Sequence, residues 1–381
     1  MKLSCMQENL AKGLATVTRA VPSKSTLPVA MNVLLATDNG RLRLAATNLE
    51  IAITTWIGAK IESDGAITVP ARTLSEYVNL FGAGRVDLTL NAQRHTVNLV
   101  CGPHETNLRG LDAEEFPPIP RVADVMSATA EPSLLKEAIG QVVFAAATED
   151  TRPVLTGVLA SFDAESLTLA AADGYRLAVR RCDLQQGLAE PVDVIIPAKS
   201  LQELSRILGD DEEPVEIAIS TNRSQLLCRL NNTEFVSRLL EGNFPNYRQI
   251  IPKEHKTRTL VSVGELHKAT KLASVIARDA SNVVRLQFTP AEQDLTPGRV
   301  TVTSNSQEGD DSASQVDAIV DGPGTQIAFN AKYLAEVLGV LPSGSQVGLE
   351  VSSPSSPGVF RPAGDDSYTH VIMPMHVTRS G

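Results

Sequence analysis

The residues whose types could support chemistry are spaced against it. The six histidines, His95, His104, His255, His267, His370 and His376, fall at no zinc-ligand spacing on a recognisable helix. The four cysteines, Cys5, Cys101, Cys182 and Cys228, form no C-x-x-C pair and are expected to be isolated reduced thiols in or near cores. Ser133-Leu-Leu-Lys136 matches S-x-x-K, but no S-D-N or K-T-G accompanies it, so Ser133 is expected to be a helix N-cap. Gly82-Ala-Gly84 opens like a dinucleotide fingerprint, yet Asp87 stands where the third glycine belongs and the segment follows a helix. The residues therefore predict no catalytic group, no metal and no cofactor.

The remaining chemistry is electrostatic. Lys12, Thr16 and Arg19 fall at i, i+4, i+7, away from the apolar stripe of their helix. Lys271, Val275 and Arg278 repeat the spacing, with Lys268 one turn earlier, while the equivalent middle segment offers only Lys136. Arg72, Lys199 and Lys332 each open a further helix, where a cation opposes the helix dipole. Glu76, Glu203 and Glu336 stand four residues on, but base before acid is the poorer order for an i,i+4 pair. Two explanations remain: local ion pairs, or six helices sharing a surface that faces an anion. A net charge of −10 argues against tight binding to a polyanion by the chain as a whole.

The elements that position these bases come from an internal repeat. Lys12, Lys136 and Lys268 recur 124 and 132 residues apart (136 − 12 and 268 − 136). The second marker reads Val69-Pro-Ala-Arg72, Ile196-Pro-Ala-Lys199 and Phe329-Asn-Ala-Lys332, with spacings 199 − 72 = 127 and 332 − 199 = 133. Two markers with nearly one period make the 381-residue chain three copies of a domain-sized unit, each running helix, strands, helix, strands. In the first unit, Leu10, Leu14, Val17 and Val21 predict a helix over 7–21. Strands are expected at 32–36, 42–46 and 51–56, with a turn at Asp38-Asn-Gly40. A second helix should follow Pro70 and stop at Gly82 and Gly84, before strands at 86–90, 96–100 and 106–111.

Proline-rich or charged joints, Phe116-Pro-Pro-Ile-Pro120 and Ile251-Pro-Lys-Glu-His255, set domains at 1–121, 126–252 and 257–381. Asp210-Asp-Glu-Glu213 and the segment from Ser304 to Ser314, with Glu308, Asp310 and Asp311, read as solvated turns or loops. With 43% hydrophobic and 20% charged residues, cores of ordinary globular domains are expected, resting on aliphatic side chains because aromatics are only 4%. No apolar stretch reaches membrane-spanning length, and Gln7, Glu8 and Asn9 interrupt the start where a signal peptide needs an apolar run. A cytoplasmic protein is expected.

Three segments carry a resemblance: Ala172-Asp-Gly174-Tyr-Arg176-Leu177-Ala178, Glu241-Gly-Asn243-Phe-Pro245-Asn-Tyr247-Arg248 and Val371-Ile-Met-Pro-Met375. With the threefold repeat, they make the whole chain resemble the bacterial DNA sliding clamps, the β subunits of DNA polymerase III. The resemblance implies an α+β fold of three clamp domains, each with two helices and antiparallel sheets, forming a ring as a head-to-tail homodimer. It implies a non-catalytic processivity factor around double-stranded DNA, independent of sequence. Implied partners are DNA polymerase subunits, a clamp loader and other repair and replication proteins that bind clamps. A ring holds DNA by topology, so an acidic outside with a basic lining becomes reasonable.

The resemblance also implies positions. Lys12, Arg19, Lys24, Arg72, Arg152, Lys199, Lys268, Lys271 and Lys332 would face DNA. A partner-peptide pocket on the third repeat, near its joint with the second, would be lined by Leu155, Gly174, Tyr175, Arg176, Leu177, Pro245, Ile250, Asn330, Tyr333, Val371, Met373, Pro374 and Met375. Its apolar members suit Leu or Phe anchors, with Arg176 and Asn330 available for peptide polar groups. The plainer alternative makes Val371 to Met375 an edge strand. Thr106 and Leu108 would meet Val275 and Ile276 across the subunit interface. Two departures stand out: His376 and Gln249 occupy positions where the family commonly carries a base, which bears on peptide preference. Competing readings are an enzyme with an active site near Arg176, and a scaffold that keeps only the peptide pocket.

Overall fold

The computed structural model describes residues 1–120, 125–149, 151–209, 213–278, 281–291, 297–306 and 309–375. Among them are six α-helices, two per sequence repeat: α1 (Gln7–Val17), α2 (Ala71–Leu80), α3 (Pro132–Val142), α4 (Ala198–Ile207), α5 (Val263–Ala277) and α6 (Ala331–Gly339). The strands form antiparallel sheets of five, eight and twelve members. By contact density the chain forms two compact units. One holds the described residues of Met1–Ser133, Leu184–Leu188 and Lys199–Leu239; the other holds Leu134–Asp183, Ala189–Ala198 and those from Leu240 on.

The first unit is built around α1. Leu10, Leu14 and Val17 are buried as the stripe predicts, and α1 packs on α2 and on the strands Arg41–Thr47 and Ile51–Gly58. Gly13 explains how closely: a methyl group there would lie 2.6 Å from Leu44 Cδ1, so a glycine with poor helix propensity is the residue that fits. The helix is shorter than expected. Its last turn tightens into a 3-10 turn, Thr18–Ala20, and Val21 is already extended. The eight-stranded sheet runs from Val125–Ala130 through Val215–Ser220, Gln225–Leu230 and Thr233–Arg238 to Ile51–Gly58 and on to Ala66–Pro70. Phe235 sits opposite Ile53 in its register, so strands of the first and second repeats form one continuous sheet.

The second unit repeats the device. The strand Arg176–Asp183 pairs with Tyr368–Ile372, placing Leu177 opposite Val371 and joining the middle repeat to the last in the twelve-stranded sheet. Tyr368–Ile372 has neighbours on both sides, Arg176–Asp183 and Gly358–Pro362, so the edge-strand alternative is corrected: its backbone is paired twice. α5 and α6 lie packed together. Ser262 caps α5 by accepting from the Glu265 amide (3.4 Å), and Asn330 caps α6 by accepting from the Lys332 amide (2.9 Å).

Other expectations need adjustment. Ser133 is not an N-cap: α3 already begins at Pro132, and the Ser133 hydroxyl donates to Glu131. A further strand, Lys2–Met6, three buried residues flanked by exposed ones, precedes α1 and is too short to show a strand period in the sequence. Within the segment expected to be solvated, 304–314, strands Gly298–Asn305 and Asp311–Asp321 extend until Asn305 faces Asp311; Glu308 lies outside the described residues. Residues 210–212 of the acidic run, His376, and the proposed domain limits at 121 and 381 also lie outside them. The cysteines are free and buried. Burial pushes the Cys5 and Cys228 thiols up to about 12 and Cys182 to about 11, which removes thiolate reactivity.

Candidate functional site

The site begins with a tight turn. Asp173 Oδ1 accepts from the amides of Tyr175 (2.9 Å) and Arg176 (3.0 Å), the Asx-turn geometry a short aspartate favours. Gly174 takes φ +94°, which a side chain would resist. The turn lifts Tyr175 out, 65% exposed, and turns Arg176 inward, 8% exposed.

Arg176 is fully engaged inside the protein. Its Nε donates to Asp173 Oδ2 (3.0 Å), NH2 to the Phe144 carbonyl (2.6 Å) and NH1 to Glu336 Oε2. The guanidinium lies over the Tyr333 ring at 4.4 Å and the Phe144 ring at 5.3 Å. Charge-assisted bonds to two carboxylates satisfy a buried cation that would otherwise be costly. The expectation that Arg176 bonds peptide polar groups is not what this geometry favours: its donors tie the turn, the Phe144 segment and α6 together. Asn330 is likewise half engaged, its side-chain oxygen used as the α6 cap.

An apolar floor and rim adjoin this clasp. Leu177 and Val371 are buried in one cluster with Ala170, Ala172, Tyr247 and Val359, and Phe244 and Ile251 pack against it. Tyr247 brings in the neighbouring turn, whose Ile250 is exposed, as is Pro245. The Met373 amide donates to the Tyr175 carbonyl and the Met375 amide to the Ala328 carbonyl, each at 2.8 Å, so the chain after Ile372 runs from the Asx turn to the strand leading into α6. Met373 is exposed; Pro374 and Met375 are half-buried. Leu155 is buried in the turn Pro153–Thr156 and stands outside the Leu177–Val371 cluster. Its neighbour Val154 nonetheless approaches Gly242, three residues before Pro245, within 2.7 Å of where a methyl would sit.

Beneath the floor His370 is completely buried. It stacks on Phe144 (5.5 Å between centroids) and lies 3.4 Å from the Tyr368 hydroxyl. Burial, then the nearby Arg176 charge, push it down to about 3, so it is a neutral ring at ordinary pH. Burial raises Tyr333 above its usual value, with Asp173 adding to the effect.

Sequence reasoning missed Phe144, Asp173 and Glu336 as parts of this frame. Asp173 lay within the quoted Asp-Gly-x-Arg segment. Glu336 was noticed only as a possible partner of Lys332. Phe144 acts through its carbonyl and ring face, for which no sequence signal exists.

All nine bases expected to face an anion are exposed. Lys12 lies on α1, Arg72 on α2, Lys199 on α4, Lys268 and Lys271 on α5, and Lys332 on α6. Arg19 is in the 3-10 turn after α1, and Lys24 and Arg152 are in loops. Among the described residues only the third i,i+4 pair forms, Lys332 to Glu336 at 4.0 Å. Glu203 turns instead to Arg206 (2.5 Å) and Arg19 (3.6 Å). Helix pairing therefore does not account for a base repeated at the start of α2, α4 and α6.

Of the expected interface residues, Leu108 is buried and Thr106 half-buried on His104–Arg109, an edge strand of the five-stranded sheet. Val275 is 60% exposed on α5 and Ile276 half-buried. Leu272, one turn before Val275, is equally open and was missed.

Three family profiles match the sequence: the DNA polymerase III beta subunit N-terminal domain over 1–120, its central domain over 129–246 and its C-terminal domain over 248–376. The beta sliding clamp of Bacillus subtilis (strain 168) is 33% identical over 388 residues, spanning 98% of this chain and 99% of that protein. That of Synechococcus elongatus is 33% identical over 382 residues, spanning 99% and 100%. The solved DNA polymerase sliding clamp from Bacillus subtilis superposes with a TM-score of 0.92 at 31% identity, over 99% of this chain and 100% of that one. Taken with the three-repeat fold, these full-length likenesses show that the chain belongs to the DNA polymerase III beta subunit family, the beta sliding clamps.

Proposed function

We propose that this protein is a DNA sliding clamp: two copies pair head to tail into a ring around duplex DNA and tether the replicative polymerase. The chain performs no covalent chemistry itself. Its domains run over 1–121, 126–252 and 257–381. The observation that carries the reading is the exposed base opening α2, α4 and α6 in a chain of net charge −10. Local pairing explains it at one of the three positions. A shared anionic partner explains all three, and topological retention removes the need for strong phosphate contacts.

The surface around Tyr175, Leu177, Pro245, Ile250, Tyr333, Val371, Met373 and Met375 takes an extended peptide from polymerase subunits, the clamp loader and other replication and repair proteins. Exposed apolar side chains over a rigid buried floor are what such a peptide needs. Leu155 and Pro374 complete the lining. Arg176 supports this surface, which disfavours an active site centred on it. Leu108 and Thr106 meet Leu272, Val275 and Ile276 of a second copy. The protein works in the cytoplasm; among the described residues no helix is long and apolar enough to cross a membrane.

The test is retention on DNA. Loaded by a clamp loader with ATP onto a nicked circle, the protein should stay through gel filtration and be lost once the circle is linearised. Equal loss from circle and line would refute encirclement.

A further inference from the structure

α5, the turn after it and the start of α6 line an open groove of about 410 Å³. Its lining includes Lys271, Arg278 and Lys332, with His267 and Asn282 between them and Glu336 as the carboxylate. Among the described residues neither Lys271 nor Arg278 has an ion-pair partner, and Lys332 reaches Glu336 only at 4.0 Å. Burial, then Lys271, hold His267 below its usual value, so it adds a neutral ring. Three cations against one carboxylate, on α5, its C-terminal cap Arg278 and α6, make an open anion seat. An arginine with two lysines suits a phosphate group.

Glu336 belongs to two sites at once. Its Oε2 accepts from Arg176 in the clasp under the peptide surface, and its Oε1 faces Lys332 in the cavity. Lys332 is mostly exposed and its pair is stretched, so a bound phosphate can draw it away at little cost. Glu336 then keeps Arg176 as its one cation, beside a new negative charge in the cavity. Both changes press the carboxylate toward Arg176. Arg176 in turn holds the Tyr333 ring, the Phe144 carbonyl and the turn that carries Tyr175.

We propose that the α5–α6 cavity seats a phosphate of the DNA backbone and that Glu336 makes its occupancy felt at the peptide surface, tightening peptide binding. The inference rests on the clamp reading and adds a coupling to it. Because the shared element is a partly exposed ion pair, the coupling is small, about two- to fivefold in affinity, and reciprocal.

The test uses the full chain and a labelled pentapeptide with leucine and phenylalanine anchors. Its Kd is measured by anisotropy at constant ionic strength, alone, with a short duplex and with inorganic phosphate. The duplex should tighten the peptide about two- to fivefold. A matching response to inorganic phosphate supports a seat for phosphate as such, and a response to duplex alone supports a seat for the polymer backbone. Lys332→Met and Glu336→Gln should abolish the response, whereas Lys60→Met, an exposed base on Lys60–Ser63 outside both the cavity and the DNA-facing set, should keep it. A peptide Kd indifferent to bound duplex, or a full response in Lys332→Met, would overturn the coupling alone. Failure of the wild-type chain to bind the duplex would overturn the phosphate seat and the coupling while leaving encirclement to the circle test, and failure to bind the peptide would overturn the peptide surface on which the coupling rests.

Discussion

The Arg176 guanidinium and the Tyr333 ring stack at 4.4 Å, joining a turn in the middle repeat to the second helix of the last. A desolvated cation over an aromatic face contributes about 2 kcal/mol, and here it also holds the Tyr333 ring against the middle repeat. The same guanidinium carries Asp173, Glu336 and the Phe144 carbonyl.

Arg176→Ala should therefore act first on stability. It strands Asp173 and Glu336 beside a buried void, and a loss of about 3–5 kcal/mol is expected in urea unfolding. Arg176→Lys should recover less than half, because an ammonium cannot serve three acceptors in a plane while stacking on a ring. A fully stable Arg176→Ala chain would contradict the clasp.

His370 predicts a particular acid sensitivity. In the folded chain burial holds it at about 3, against 6.5 when unfolded. Between those values the unfolded state binds the extra proton, so stability falls as pH falls. The contribution is complete above 6.5 and declines by about 1.4 kcal/mol per unit below it. His370→Phe should flatten the slope. Between about pH 7.5 and about pH 5, wild type should lose roughly 2 kcal/mol more than the variant in denaturant titrations. Parallel slopes would exclude His370 as the sensor.

Leu177 and Met373 should separate floor from rim. Leu177→Ala removes a buried side chain from the Val371 cluster and should cost about 2–5 kcal/mol. Met373→Ala acts at an exposed position, so stability should change by no more than about 0.5 kcal/mol while peptide affinity drops about tenfold. Calorimetry with the anchor peptide on both variants measures the contrast, and unchanged affinity in Met373→Ala would remove it from the rim.

Leu272 and Val275 test the subunit contact. Both are open on one face of α5, so aspartate at either should leave the unfolding midpoint nearly unchanged. Sedimentation equilibrium should show the dimer shifted toward monomer by a factor of about ten or more. Dimers of wild-type strength in both variants would place the interface elsewhere.

The repeat, the helix count and the strand-rich architecture were legible because they depend on spacing. Leu10, Leu14 and Val17 share a face through helical geometry alone, and two markers per repeat recur at a near-constant interval. Boundaries were less legible. The end of α1 turns on whether one more turn closes i→i+3 or i→i+4, and the Val21 amide donates to the Thr18 carbonyl (3.0 Å), the i→i+3 closure.

What the sequence determined by itself was therefore periodic or compositional: three copies of one unit, bases set at the head of a helix in each, and short segments specific enough to indicate a family. What the tertiary structure decided was who meets whom across long separations. Arg176 and Glu336 are 160 residues apart, and only the pairing of Arg176–Asp183 with Tyr368–Ile372 brings their elements together. That pairing set Arg176 into an internal clasp, and made Glu336, expected as a partner of Lys332, a carboxylate that also accepts from Arg176. Side-chain type sets what a group can bond, but in a folded chain the nearest partner takes the bond, and distance along the sequence carries no record of it.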